Sequence, residues 1–233
     1  MNLLLFDVDG TIVRLGSALS KLHVRAFNYG FRKAYGVDAN MEEITDRSHG
    51  STDRSIVCEV LRQRGFKEDA ISKGLERCFS YMVDYFRDNI SGIGCDGVLI
   101  DGVTEALNVL AKDRSCVLGL LTGNLQEIAE MKLRKLGIYE YFKVGGFGGV
   151  SEIRSDLIGL AIEDGQRKGL IGKHIGSREV YVIGDTRKDI KCAQERGAVS
   201  VAVATGRATK ATLREYKPDY LLDSLHELPG IFH

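Results

Sequence analysis

Two aspartates, spaced two residues apart directly after a short apolar run, are the residues of this chain best placed to do chemistry. The apolar run covers residues 3–6, and Asp7 and Asp9 follow it before Gly10. Such a run, bounded by glycine, is typical of a strand buried on both faces of a parallel sheet. Because side chains at i and i+2 of an extended chain point the same way, both carboxylates should face the carboxyl end of that strand, where ligands bind in open α/β sheets. The alternative is an Asp-Gly turn that closes a hairpin.

A second acidic strand end lies far downstream. Asp185 comes just after a predicted strand at 179–183, and Asp189 comes four residues later, about one turn into a predicted helix. Carboxylates brought this close repel one another unless a proton or a cation lies between them, and Mg²⁺ is the hard, oxygen-seeking ion that suits such a set. Asp185 and Asp189 could complete its ligand shell and orient bound water, or they could be acids favoured at a helix start by the helix dipole.

A third polar strand end follows the apolar residues 116–121. Thr122 offers a hydroxyl, and Gly123 and Asn124 offer backbone N–H groups at the start of the predicted helix 125–136. Backbone N–H groups at a helix N-terminus form an anion site suited to a phosphoryl group. The alternative is an ordinary Thr or Asn N-cap of that helix.

The elements that would position these residues alternate between strand and helix, except in one region. Residues 17–96 contain helical patterns at 17–35, 51–64 and 67–89 but no convincing parallel-strand run. After a glycine-rich link the alternation resumes, with strands predicted at 116–121, 142–144, 179–183 and 199–204, an edge strand at 220–222, and a loop at Gly145–Gly149. Such alternation predicts a doubly wound parallel sheet. We therefore predict an α/β, Rossmann-like core from residues 1–14 and 98–233, with a small all-helical domain, residues 15–97, inserted after the first strand.

Composition restricts the possible partners. The chain has 233 residues, 32 basic and 32 acidic, so its formal net charge is zero. This balance does not favour nucleic acid or an anionic membrane as a partner. The apolar runs are far shorter than a membrane span and the N-terminus has no signal-peptide pattern, so we expect a soluble, cytoplasmic protein. Five cysteines without CxxC spacing are expected to be reduced.

The strand ends together resemble the haloacid-dehalogenase superfamily. Residues 7–11, Asp-Val-Asp-Gly-Thr, resemble its first motif, Thr122 its second, and residues 184–189, Gly-Asp-Thr-Arg-Lys-Asp, its fourth. The third motif normally supplies a lysine, and here Arg154 holds that place before a long predicted helix. Arginine keeps the positive charge and grips phosphate with two prongs. Lys143 and Lys168 are competing candidates, and Arg154 could also be a solvated residue at a helix start.

The position of the helical insert, between the first two motifs, resembles the phosphoglycolate phosphatase and β-phosphoglucomutase branch. The resemblance implies that the insert is a cap and that the loop at 47–53 faces the active site. Arg47, His49 and Thr52 could then read the leaving group, although the same loop could simply cap the following helix. We expect His23 to pack within its helix rather than bind metal, because no second His or Cys has ligand spacing near it.

The resemblance implies a Mg²⁺-dependent phosphomonoester hydrolase acting on a small phosphorylated metabolite, as a monomer or homodimer. In this scheme Asp7 attacks phosphorus and forms an aspartyl-phosphate, and Asp9 protonates the leaving oxygen and then activates water. Mg²⁺ contacts Asp7, the Asp9 main-chain carbonyl and Asp185, while Thr122 and Arg154 hold phosphoryl oxygens. A phosphomutase would keep these residues, a dehalogenase would need neither the acid at Asp9 nor a metal, and a binding module would not need four intact sites. The sequence does not specify the substrate.

Overall fold

A six-stranded parallel sheet forms the centre of the protein. The computed structural model describes residues 1–41 and 48–232. The strands lie in the order β3-β2-β1-β4-β5-β6, and each pairs with its neighbours in parallel. Their bounds are β1 Asn2–Phe6, β2 Cys116–Thr122, β3 Val144–Phe147, β4 Val180–Gly184, β5 Val199–Val203 and β6 Tyr220–Leu222. The predicted doubly wound α/β core is confirmed.

The first strand lies inside this sheet, and its register fixes where the polar strand ends meet. Phe6 is opposite Leu120 of β2 on one side and Ile183 of β4 on the other. The Asp7 N–H continues the ladder by donating to the Ile183 carbonyl at 2.9 Å. The chain winds outward from β1 in both directions, and the crevice at such a switch point is where open α/β sheets bind ligands. The carboxyl ends of β1, β2 and β4 therefore converge on one place.

Helices cover the sheet and form the insert. Their bounds are α1 Ala18–Tyr35, α2 Asp53–Gln63, α3 Glu68–Asn89, α4 Val103–Leu110, α5 Gln126–Lys135, α6 Asp156–Arg167, α7 Arg187–Glu195 and α8 Lys210–Glu215, with 3-10 turns at Tyr139–Tyr141, Ser177–Glu179 and Leu225–Ile231. Within the described residues, none of these helices has the length and apolar character that crossing a bilayer requires.

The connections into and out of the helical insert run side by side. The Arg14 N–H donates to the Val98 carbonyl at 2.7 Å, and the Ile100 N–H donates to the Ile12 carbonyl at 2.9 Å. Helices α1, α2 and α3 all fall between these two connections. This pairing agrees with the proposed division at residues 14 and 98. The division into core and cap remains a proposal.

The glycine-rich run after α5 corrects one prediction. The strand was predicted at 142–144 and a loop at Gly145–Gly149, but β3 spans Val144–Phe147. A Cβ built on Gly146 would lie 2.1 Å from the Leu157 carbonyl oxygen of α6. The helix therefore packs directly on the strand backbone, and glycine is required for this close approach rather than for loop flexibility.

Candidate active site

Three buried aspartates converge where β1 and β4 end. Asp7, Asp185 and Asp189 each place a carboxylate oxygen within 4.8 Å of the others. Asp7 follows β1, Asp185 follows β4, and Asp189 lies in the first turn of α7. The turn after β1 comes very close to this cluster, since Gly10 has φ +98° and a Cβ there would lie 2.4 Å from Asp185 Oδ2. Only glycine combines that backbone conformation with that proximity.

Arg154 reaches into the same cluster from the loop before α6. Its Nη2 lies 2.9 Å from Asp7 Oδ1, 2.6 Å from Asp189 Oδ1 and 3.3 Å from the Leu121 carbonyl. Its Nε–H is buried and has no hydrogen-bond acceptor among residues 1–41 and 48–232. A buried, unsatisfied donor is costly, so this atom is a candidate to bind an oxygen atom of a ligand.

The competing lysines lie elsewhere. Lys143 Nζ donates to the Glu140 carbonyl at 2.6 Å, and Lys168 Nζ bonds to Asp164 at 2.8 Å, both in exposed positions. Among the three candidates for the phosphoryl cation, Arg154 is the one that contacts the aspartate cluster.

The acid cluster has an excess of negative charge. Burial raises the pKa of Asp7 to about 7 and outweighs the opposing attraction of Arg154. Burial, together with the charges of Asp7 and Asp189, raises the pKa of Asp185 well above its usual value. One guanidinium therefore does not neutralise three carboxylates, and a divalent cation would supply the missing positive charge.

The oxygens of the three acids are not equally available to a cation. Asp189 Oδ1 is engaged by Arg154, and its Oδ2 accepts from the Thr186 N–H at 3.0 Å and from Thr186 Oγ1 at 2.6 Å. Asp185 accepts from Thr11 Oγ1 through Oδ1 at 3.2 Å. Asp7 and Asp185 are therefore the stronger candidates for direct metal ligands, whereas Asp189 orients Arg154 and caps α7.

Asp9 points away from the cluster, toward a separate set of polar groups. Its carboxylate accepts from Lys132 Nζ at 2.9 and 2.7 Å and from Asn124 Nδ2 at 2.9 Å. Burial acts to raise the pKa of Asp9, but Lys132, His23 and the hydrogen bonds from Lys132 and Asn124 lower it overall. The carboxylate form of Asp9 is thus favoured in this arrangement.

The polar residues at the end of β2 contact Asp9 on one side and the helical insert on the other. Thr122 is fully buried, and its Oγ1 accepts from the Asn124 N–H at 3.3 Å. The Gly123 carbonyl accepts from the Asp53 N–H at 2.6 Å. The alternative that Thr122 or Asn124 caps α5 is wrong, because the N-cap is Leu125, whose N–H donates to Asp53 Oδ2 at 2.8 Å.

The insert loop predicted to face the site does reach it. His49 lines a cavity of about 710 Å³ together with Asp7, Asp9, Asn124 and Arg154. Thr52 is fully buried and caps α2 by accepting from the Ser55 N–H at 3.1 Å, which is the helix-cap arrangement that the sequence left open. Arg47 lies outside the described residues.

Several residues around the site were not found from the sequence. Lys132 is fully buried on the face of α5 that carries Ile128 and Leu133, so a lysine within an apolar stripe was the available signal. Asp53 links α2 to α5, as above. Lys188 Nζ donates a hydrogen bond to Ser51 Oγ of the insert loop. Burial of the Lys188 ammonium lowers its pKa, and the positive charge of Arg154 lowers it further.

His23 packs in α1 as predicted, since it is buried and stacks on Phe27 with ring centroids 5.0 Å apart. Its ring nitrogens also bond outside the helix, to Asp53 Oδ2 at 3.0 Å and Lys132 Nζ at 3.3 Å. The metal-binding geometry found among the described residues comprises Asp7, Asp185 and Asp189 and does not include this ring.

With this geometry in hand, comparison with known proteins identifies the family. The profile of the haloacid dehalogenase-like hydrolases matches residues 4–203, and the chain therefore belongs to that family. It is 24% identical over 230 residues to a phosphoglycolate phosphatase of Synechococcus elongatus, covering 98% of this chain and 95% of the relative. It is also 22% identical over 229 residues to the pyrophosphatase PpaX of Bacillus mycoides, with the same coverage. The predicted family and the predicted enzyme class, a phosphatase of this family, are confirmed.

Solved structures share the fold across the whole chain. CbbY from Rhodobacter sphaeroides, crystallised with xylulose-(1,5)bisphosphate, has a TM-score of 0.70 at 22% identity and covers 98% of this chain and 96% of its own. A hydrolase from Pseudomonas syringae has a TM-score of 0.69 at 18% identity, covering 100% and 98%. At these identities the likeness establishes the fold.

Proposed function

We propose that the protein is a Mg²⁺-dependent phosphomonoester hydrolase that acts on a small phosphorylated metabolite through an aspartyl-phosphate on Asp7. The observation that carries the proposal is the convergence of Asp7, Asp185 and Asp189, with the guanidinium of Arg154 in contact with Asp7 and Asp189. The relatives named phosphoglycolate phosphatase and pyrophosphatase support a phosphorylated substrate of modest size.

In the first step a carboxylate oxygen of Asp7 attacks phosphorus while the bond to the leaving oxygen breaks, and Asp9 gives that oxygen a proton. In the second step water attacks the phosphoryl group, Asp9 takes the proton, and the bond to Asp7 breaks. Because the lowered pKa of Asp9 favours its carboxylate, the resting site already holds the form that the second step needs. Asp9 must take up a proton from solvent before it can give one to the leaving oxygen in the first step. The first step therefore depends strongly on how well the leaving oxygen tolerates negative charge.

Thr122, the N–H of Gly123 and Arg154 would hold the phosphoryl oxygens, and the unsatisfied Nε–H of Arg154 supports this role for the guanidinium. Asp7 and Asp185 would hold Mg²⁺, together with the Asp9 main-chain carbonyl that the family resemblance implies. Bound Mg²⁺ would offset the charge of the acids and of the phosphoryl oxygens.

The helical insert is proposed to act as a cap that closes over the substrate. Its loop and the start of α2 meet the core through several hydrogen bonds. The Arg54 N–H donates to the Gly148 carbonyl at 3.1 Å, and the Arg154 side chain donates through Nη1 to the Gly50 carbonyl at 3.1 Å. His49 lines the cavity beside the acids. Closure of this kind excludes water and lets the cap contact the leaving group.

Metal removal tests the proposal. With excess chelator we expect hydrolysis of 4-nitrophenyl phosphate to stop, and added Mg²⁺ to restore it, since the acid cluster would otherwise repel the phosphoryl group. The measurement is steady-state release of nitrophenolate. Full activity in excess chelator would contradict the mechanism and favour a metal-independent reaction.

The same site predicts a pH-dependent effect of Mg²⁺ on stability. A ligand that binds only the folded state raises Tm, and Mg²⁺ must displace any proton on Asp7, whose pKa is about 7 without metal. The rise in Tm should therefore be larger one pH unit above that value than one unit below it. Asp185→Asn removes a ligand and should abolish the rise at both pH values. Equal rises in the unchanged protein at both pH values would argue against Asp7 as a ligand.

Contact between insert and core gives a further prediction. A Cβ on Gly123 would lie 2.0 Å from the Ser51 carbonyl oxygen, so Gly123→Ala should push the insert loop off the core. Misplacement by about 1 Å can lower turnover about 100-fold, and we expect kcat/KM to fall on that scale.

Gly159→Ala is the matched control, because it lies in α6 with open space around it and should leave kinetics unchanged. Steady-state kinetics and thermal unfolding distinguish displacement of the loop from loss of folding. If Gly123→Ala keeps normal kcat/KM, contact between these two loops is not needed for activity.

A further inference from the structure

A fully buried lysine lies behind the carboxylate of Asp9. The Lys132 side chain is 0% exposed, whereas that of Asp9 is 22% exposed and lines the cavity. Lys132 Nζ lies 2.7 Å from Asp9 Oδ2, 2.9 Å from Asp9 Oδ1 and 2.7 Å from Asn124 Oδ1. A buried ammonium is costly unless it is paired and hydrogen-bonded, and these acceptors meet that condition.

The contact of this ammonium with His23 fixes the proton of the imidazole. Lys132 has three N–H donors and no lone pair, so His23 Nδ1, 3.3 Å away, must be the acceptor. The ring proton is then on Nε2, which donates to Asp53 Oδ2 at 3.0 Å. Asp53 Oδ2 in turn accepts from the Leu125 N–H of the core at 2.8 Å.

These bonds connect Asp9 to the insert and back to the core. His23 lies in α1 and Asp53 in α2, both in the insert, whereas Lys132 and Leu125 belong to the core. The ammonium is thereby held by His23 as well as by Asp9, and His23 is itself held by Asp53. Its position behind Asp9 is determined by packing and by hydrogen bonds from two directions.

We propose that Lys132 is a positioning residue that holds the Asp9 carboxylate toward the leaving oxygen, with His23 and Asp53 holding Lys132 in place. The inference rests on the proposed function, because it concerns the proton that Asp9 transfers. Lys132 is fully buried and does not line the cavity, whereas its partners Asp9, His23 and Asn124 do, so we expect it not to contact the substrate. Its removal should therefore harm proton transfer to the leaving oxygen more than substrate binding.

The test uses the full chain with Mg²⁺ and two substrates, 4-nitrophenyl phosphate and 2-hydroxyethyl phosphate. The alkyl leaving group needs a proton, and general acid catalysis contributes at least about 100-fold. Lys132→Met should lower kcat on the alkyl ester about 100-fold with KM changed less than about threefold. Because Lys132 lowers the pKa of Asp9, its removal alone would favour the acid form of Asp9, so this loss would report lost positioning. The first-turnover release of nitrophenolate should fall less than about fivefold. Lys135→Met, a half-buried lysine on the same helix whose Nζ donates to the Ser91 carbonyl, should match the unchanged protein on both esters.

A double substitution separates positioning from a structural role. If Lys132 acts through Asp9, adding Lys132→Met to Asp9→Asn should change neither rate by more than about twofold, because coupled residues are not additive. This comparison also serves if Lys132→Met alone fails to fold, since the double variant removes the charges of both members of the Asp9–Lys132 pair. An independent further loss in the double variant, or equal losses on both esters from Lys132→Met alone, would overturn the assignment. Failure of the proposed function would show in the unchanged protein, which would release phosphate from neither ester, and would overturn the role of Lys132 with it.

Discussion

Asp9→Asn should release a burst of about one equivalent of nitrophenolate per enzyme from 4-nitrophenyl phosphate and then turn over very slowly. Nitrophenolate is a stable anion and leaves without much protonation, so attack by Asp7 survives in part. The second step has lost the base that takes a proton from water, and the phosphoryl group stays on Asp7. Rapid-mixing kinetics measures the burst, and intact-protein mass detects the added phosphoryl group.

Two comparisons define this result. An alkyl phosphate should give no burst with Asp9→Asn, because its leaving oxygen needs the proton. Asp7→Asn should abolish activity on every ester and leave no phosphorylated protein, since the nucleophile is gone. If Asp9→Asn slows both esters equally without phosphorylated enzyme, Asp9 is a structural or metal-site residue and the proposed division between the two carboxylates is wrong.

Arg154→Ala should lower kcat about 100- to 1,000-fold, the scale for removing one group that stabilises transition-state charge. The guanidinium directly contacts both Asp7 and Asp189. Without its positive charge, these buried carboxylates would repel the phosphoryl oxygens more strongly. Arg154→Lys should recover part of the rate, because the charge returns but the two-pronged geometry does not. Steady-state kinetics at saturating substrate measures both.

Arg167→Ala is the matched control on the following helix, where the side chain is 78% exposed, and it should leave kcat unchanged. Thermal unfolding with and without Mg²⁺ shows whether each variant is folded. Near-normal turnover by Arg154→Ala would mean that another cation holds the phosphoryl group, and Lys188, which bonds to the insert loop, would be the next residue to change.

The strand ends could be predicted from sequence because their signals are local. An apolar run followed by an acid identifies Asp7 and Asp185, and parallel pairing brings such ends to one edge of a sheet. Arg154 could be placed only by its order along the chain relative to the other motifs. The structure adds that Arg154 contacts Asp7, which is 147 positions away in the sequence, and Asp189, which is 35 positions away.

Other parts of the site depend on contacts that no local pattern encodes. Lys132 and Asp9 are 123 positions apart, and nothing near either residue names its partner. Asn124 was predicted to offer its backbone N–H to an anion, but its side chain bonds Asp9 and Lys132. The glycines of β3 indicate a loop when only the local sequence is considered, because the helix that packs on them is specified by later residues.

The hydrogen bond from the Leu125 N–H to Asp53 offers a way to measure whether the insert separates from the core. In the docked arrangement the amides of Asp53 and Arg54 donate to core carbonyls, and the amide of Leu125 donates to an insert carboxylate. Each of these three protons would lose its acceptor if the insert lifted away, whereas the β1 amides would keep theirs. Their rates of exchange with deuterium, compared with those of β1 amides, would therefore report how often the insert undocks and how far substrate shifts that equilibrium.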